Sequence, residues 1–122
     1  MVSETYCAGK EVPYVNDNMK AFFDNRNSGP NHGGVAIFME KTLAAHTVTI
    51  GKSASENEWV AVKCSYFSPP LVLIGIYGTN STQPVNTLKN TWEELWIFAE
   101  KYKDDNTVVI AGDLNCALGK SF

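Results

Sequence analysis

The stretch that most constrains this chain is Val108-Val109-Ile110-Ala111-Gly112-Asp113-Leu114-Asn115. Three β-favouring residues predict a buried strand that runs into Gly112 and then presents Asp113 and Asn115. Residues two apart on an extended chain point to the same side. A carboxylate and a carboxamide are therefore displayed together at a strand exit, an arrangement suited to holding a metal-bound water and a phosphate oxygen at once.

The remaining elements are read from pattern. Val2 to Tyr6 reads as the end of a strand, and Tyr14 to Phe23 as a short helix or irregular segment. Asn25 to Gly34, with tandem glycines, a proline and three asparagines, is a loop. Val35 to Met39 is a short apolar strand, and Thr47 to Ile50 alternates and is expected to pair with it. Gly51 to Asn57 reads as polar and turn-like. Trp59 to Tyr66 alternates, with Trp59, Ala61 and Lys63 on one face and Val60, Val62 and Cys64 on the other, until Ser68-Pro69-Pro70 breaks it. Leu71 to Tyr77 is almost wholly apolar, as in a strand covered on both faces.

Pro84 to Lys103 is the clearest helix. Leu88, Trp92, Leu95, Trp96, Ala99 and Tyr102 recur at helical spacing and predict one core-facing stripe. Asp104-Asp105-Asn106 then turns the chain into the last strand.

Composition excludes several classes. The chain has 122 residues, the size of one domain of roughly 100–200 residues. No apolar run approaches the ~18 residues of a membrane span. Met1-Val2-Ser3-Glu4 lacks a basic region followed by an apolar stretch, so no signal peptide is visible and an intracellular setting, cytoplasmic or nuclear, is expected. Net charge is −3. Arg26 and the lysines form no basic run, which argues against a strong non-specific grip on nucleic acid. The three cysteines, Cys7, Cys64 and Cys116, are too widely spaced for a disulfide framework or a CxxC metal site. Gly119-Lys120-Ser121 imitates the end of a P-loop, but Leu114 stands where that motif needs its first glycine.

Two further strand exits carry suitable groups. Glu4, in Ser3-Glu4-Thr5-Tyr6, offers a carboxylate of the kind Mg²⁺ selects. Tyr77-Gly78-Thr79-Asn80 offers a phenol and a carboxamide. Three such exits suggest one rim built from adjacent strands, since sites on α/β sheets lie at strand ends. Each feature also has a plain structural reading. Asp113 and Asn115 alone read as a turn after a strand, Glu4 as a solvated charge, and Tyr77 as a core tyrosine with a bonded hydroxyl.

Together these blocks resemble the endonuclease/exonuclease/phosphatase superfamily, and most closely the endonuclease domain of non-LTR (LINE-type) retrotransposons. The resemblance rests on Ser-Glu-Thr-aromatic at Ser3 to Tyr6, Gly-Gly-Val-Ala-Ile at Gly33 to Ile37, and Glu-Trp-Val-Ala-Val at Glu58 to Val62. It continues with the strand ending in Ile76-Tyr77, with Asn80 soon after, and with Ala-Gly-Asp-Leu-Asn at Ala111 to Asn115. It implies an α/β fold, part of a four-layered α/β-sandwich of two packed sheets with outer helices, with residues 1–122 forming a partial domain truncated at both ends.

It further implies phosphodiester hydrolysis of DNA with Mg²⁺, or Mn²⁺ in its place, as cofactor. Glu4 is then the metal ligand, and Asp113 orients or deprotonates the attacking water. Asn115 and Asn80 hold the phosphate or the hydrogen-bond network around it, and Tyr77 contacts the phosphate or assists the leaving oxygen. The family's closing Ser-Asp-His segment has no counterpart in this sequence, and neither His32 nor His46 lies in such a context. Weak activity or none is therefore expected of the chain as written. Two alternatives stand beside this reading. One is a phosphatase or phosphodiesterase of the same superfamily acting on lipid or inositol phosphates. The other is a non-catalytic remnant or interaction module. An uncovered sheet face or edge predicts self-association, and no membrane partner is expected.

Overall fold

A computed structural model describes residues 2–3, 17–24, 35–52, 58–77 and 85–113; for 2, 3, 24, 58, 85–91 and 113 the backbone alone is described. In chain order the elements are β1 (Val2–Ser3), β2 (Met19–Asp24), β3 (Val35–Glu40), α1 (Lys41–Ala44), β4 (Thr47–Lys52), β5 (Glu58–Cys64), β6 (Leu71–Tyr77), α2 (Val85–Tyr102) and β7 (Thr107–Asp113). They form two sheets, one ordered β1-β3-β2 and the other β4-β5-β6-β7. Every pairing is antiparallel except β6 with β7, which is parallel. A parallel pair needs a long crossover, and α2 supplies it.

Strand alternation divides the apolar residues between two cores. Val60, Val62 and the half-buried Leu73 meet Phe22, Val35, Ile37 and Met39 of the other sheet, with Leu43 and Ala44 of α1 closing one end. Trp59, Ala61, Val72, Ile74 and Ile76 project to the opposite face, where Leu95, Trp92, Phe98, Ala99 and Tyr102 of α2 cover them. The second sheet thus lies between the first sheet and a helix, giving an α/β sandwich of packed sheets. Each fully buried Val, Leu or Ile contributes roughly 1.5–3 kcal/mol relative to exposure. Because β5 and β6 place such residues on both faces, the middle of this sheet holds the layers together.

Several elements match their sequence pattern. β6 has the expected bounds and is buried on both faces, β3 covers the Val35 strand, and α2 covers the clearest helix. Cys64 is a buried core residue. The turn through Asp104 to Asn106 is closed by the Asn106 backbone N–H and side-chain Nδ2, which both donate to the Tyr102 carbonyl at 3.1 and 2.9 Å.

Four expectations are corrected. The segment from Tyr14 to Phe23 is not a helix over its described part. Met19–Asp24 is a strand, because all six residues pair along β3 and this packs Phe22 into the core between the sheets. Thr47 to Ile50 does not pair with the Val35 strand. The turn of α1 carries the chain into the other sheet, and Thr47 Oγ1 donates to the Leu43 carbonyl at 2.7 Å, so that β4 pairs with β5. Gly51 and Lys52, expected in a turn, extend β4 beyond a bulge between Thr49 and Gly51.

The fourth correction concerns exposure. Trp96 is 63% exposed although its spacing from Trp92 placed it in the core. The stripe that faces the sheet centres on Leu95 and Tyr102, and at ~100° per residue Trp96 lies about 110° from that centre. Phe98 occupies the inner position instead, its ring 5.0 Å from that of Trp59. β7 is likewise only half covered, with Val109 40% exposed.

Leu95 and Trp96 therefore make a matched pair. Leu95→Ala is expected to lower unfolding free energy by about 2–5 kcal/mol, whereas Trp96→Ser stays within ~0.5 kcal/mol of the parent. Urea denaturation followed by far-ultraviolet circular dichroism measures both, and equal losses would contradict the helix orientation.

Candidate active site at one end of the sandwich

Register fixes which strand ends share a rim. In the parallel pair, Leu71 opposes Thr107 and Tyr77 opposes Asp113. On the other side of β6, Glu58 opposes Tyr77. Glu58, Tyr77 and Asp113 thus stand in one row across three strands, with neighbouring backbones about 5 Å apart.

The first sheet reaches the same end. Thr47 Oγ1 lies 3.1 Å from Met39 Sδ, so the end of β3 sits beside the start of β4, far from Tyr77. Val35, where β3 begins, is consequently at the Tyr77 end. Ser3 opposes Val35 and β1 runs antiparallel to β3, so β1 heads toward that end too. A side-chain contact across the sheets agrees: Lys52 Nζ, at the end of β4, lies 5.4 Å from the ring centroid of Phe23, near the end of β2. β1, β2, β4, β6 and β7 all finish on one rim.

Gly112 shapes this rim locally. Its φ of +138° is a conformation that side chains strain to adopt. A Cβ here would collide with the Ile76 carbonyl oxygen of the neighbouring strand. Glycine lets the β7 backbone close onto β6 one residue before Asp113, and so fixes the Tyr77–Asp113 pairing.

Of the five expected site residues, the described structure brings two together. Tyr77 is half-buried at the end of β6, and the backbone of Asp113 ends β7 beside it. Glu4, Asn80 and Asn115 lie outside the described residues. In sequence they directly follow or closely trail β1, β6 and β7, the strands that finish on this rim. Pattern reading overlooked Glu58, Asp24 and Lys52, which also stand at this end. The signal for Glu58 was present, since a hairpin between the Trp59 strand and the Leu71 strand places it opposite Tyr77. Among the described residues no three His, Cys, Asp or Glu side chains gather as a metal-holding group, and no helix is long and apolar enough to cross a membrane.

Neither a protein-family description nor a curated protein sequence matches the chain. Solved structures do. A humanized D. rerio TDP2 carrying 14 mutations superposes with a TM-score of 0.51 at 14% identity, over 83% of this chain and 41% of the other. D. rerio TDP2 complexed with single strand DNA product superposes with a TM-score of 0.50 at 14% identity, over 82% of this chain and 40% of the other. The chain therefore has the sandwich fold seen in TDP2, and it spans about two fifths of the length of these neighbours.

Gly112→Ala is expected to lose stability by at least about 1–3 kcal/mol, from the strained φ alone. The Ile76 contact adds to that loss. A thermal melt measures it, and an unchanged midpoint would mean that the two strands are not held this close.

Proposed function

We propose that the chain is part of a Mg²⁺-dependent phosphodiester hydrolase domain that acts on DNA, of the endonuclease type found in non-LTR retrotransposons. The observation that carries this reading is the pairing of Tyr77 with Asp113 at the ends of two parallel strands. There, the sequence motifs supply a phenol, a carboxylate and, shortly beyond, the carboxamides of Asn80 and Asn115. The fold shared with TDP2 supports it, and a neighbour complexed with single strand DNA product favours nucleic acid over lipid or inositol phosphates.

In this reading Asp113 accepts a proton from, or orients, the water that attacks phosphorus in line. Tyr77 donates its phenolic hydrogen to a phosphate oxygen or to the leaving oxygen. Asn80 and Asn115 donate amide hydrogens to the phosphate, aimed where charge grows as the bond breaks. Glu4 holds the cation. The assigned ligand is a hard carboxylate oxygen, with no thiol or imidazole, which fits Mg²⁺, with Mn²⁺ the alternative. When bound, the ion stabilises charge on the phosphate oxygens.

Two measurements test the proposal. Isothermal titration of the chain with Mg²⁺ and with a DNA duplex is expected to show binding of both, with Glu4→Gln weakening the Mg²⁺ isotherm. Binding of neither would favour a non-catalytic remnant. In plasmid nicking, cleavage is expected to require Mg²⁺, and Asp113→Asn is expected to lower it by about a hundred-fold or more. Release of phosphate from soluble inositol esters without nicking would move the substrate to the phosphatase branch.

A further inference from the structure

The lysines whose side chains are described are distributed unevenly over the sandwich. Lys20 opposes Met39, and Lys41 begins α1 beside the end of β3, so both belong to the end remote from Tyr77. Lys63 opposes Val72 near the start of β6. Lys101, in the last turn of α2, and Lys103, just beyond it, precede Thr107, whose N–H donates to the Pro70 carbonyl, and Lys103 is held by Glu100 at 2.9 Å. Among the lysines whose side chains are described, Lys52 alone stands on the rim that carries Tyr77 and Asp113.

Its placement there is built. Without the bulge, strict alternation from Thr47 would turn Lys52 toward the α2 face. Ile50 is the extra residue between the pairs Thr49–Val62 and Gly51–Ala61, and it reverses the alternation for the last two positions. Gly51 is then turned to the α2 side, where a Cβ would come within 2.7 Å of Phe98 Cε2 and 3.2 Å of Trp59 Cζ3. Lys52, opposite Val60, is turned to the side of the other sheet, where the half-buried Phe23 ring lies under its ammonium at 5.4 Å. The bulge, the glycine and the ring together hold an exposed cation on a rim whose strand ends otherwise bring Asp24, Glu58 and Asp113.

We propose that Lys52 is a substrate-binding residue that contacts a DNA backbone phosphate a few nucleotides from the one cleaved; this rests on the nucleic-acid reading given above. Strand spacing and the two-residue offset put its Cα about 12 Å from that of Tyr77 and about 16 Å from that of Asp113. At ~3.4 Å of rise per nucleotide, a strand crossing the rim covers that span in a few steps. A polyanion approaching an acidic rim needs such a contact, and the chain as a whole, at net charge −3, provides no diffuse attraction.

The test is the salt dependence of binding to a fluorescently labelled short DNA duplex, followed by anisotropy at fixed Mg²⁺ from roughly 50 to 200 mM salt. Lys52→Ala is expected to bind more weakly and to flatten the plot of log K against log salt by about 0.9, the value of one phosphate contact. Lys52→Arg is expected to keep the parent slope. Lys101→Ala is the control, since Lys101 makes a similar ring contact with Tyr102 at 5.7 Å but at the opposite end; its slope is expected to match the parent. If the parent binds and Lys52→Ala keeps its slope, or if Lys101→Ala flattens it equally, Lys52 is not a phosphate contact while the DNA reading survives. If the parent binds no DNA, the functional reading fails and this inference falls with it.

Discussion

The pairing of β6 with β7 is the constraint on which the rest of the molecule depends. It is parallel, so it exists only because α2 returns the chain across the sheet, and α2 stays there only because β5, β6 and β7 offer it an apolar face. The same pairing sets Tyr77 beside Asp113. Fold and candidate chemistry therefore share one origin: the burial of Leu95, Phe98 and Tyr102 against Trp59, Ile74 and Ile76 is what brings two distant segments of sequence to a common strand end.

Closeness at the rim has a steric condition as well. Gly112 allows the last turn of backbone in β7 to approach Ile76 in a conformation closed to other residues. Gly51, at the far edge of the sheet, leaves the space that the Phe98 ring fills. These two glycines bracket the four-stranded sheet at the end where the charged and phenolic groups stand. Function at such a rim follows from the fold only in part. The sandwich is shared with TDP2 at 14% identity, and what a particular sandwich does is decided by residues carried on its strand ends and loops.

Much of this was readable along the chain because the relevant physics is local. An unbroken apolar run such as Leu71 to Tyr77 has no solvated face, so it must be a strand covered on both sides. The β-favouring run Val108 to Ile110 that leads into Gly112 and Asp113 is equally local, and it is the strand β7. The helix at Pro84 to Lys103 carries enough apolar residues at helical spacing to be certain of its type, yet the choice between Trp96 and Phe98 for the buried position was not local. It depended on where Trp59 and Gly51 of other strands left space.

The sequence by itself determined the element types in the second half of the chain and the strand-end positions of Tyr77 and Asp113. All of these rest on periodicity and on residues adjacent in the chain. Only the tertiary structure decided that Met19–Asp24 is a strand, that Thr47–Lys52 leaves β3 for β5, and that Lys52 belongs to the rim. Such facts are set by register, bulges and the space left by distant side chains, and no short window of sequence contains them.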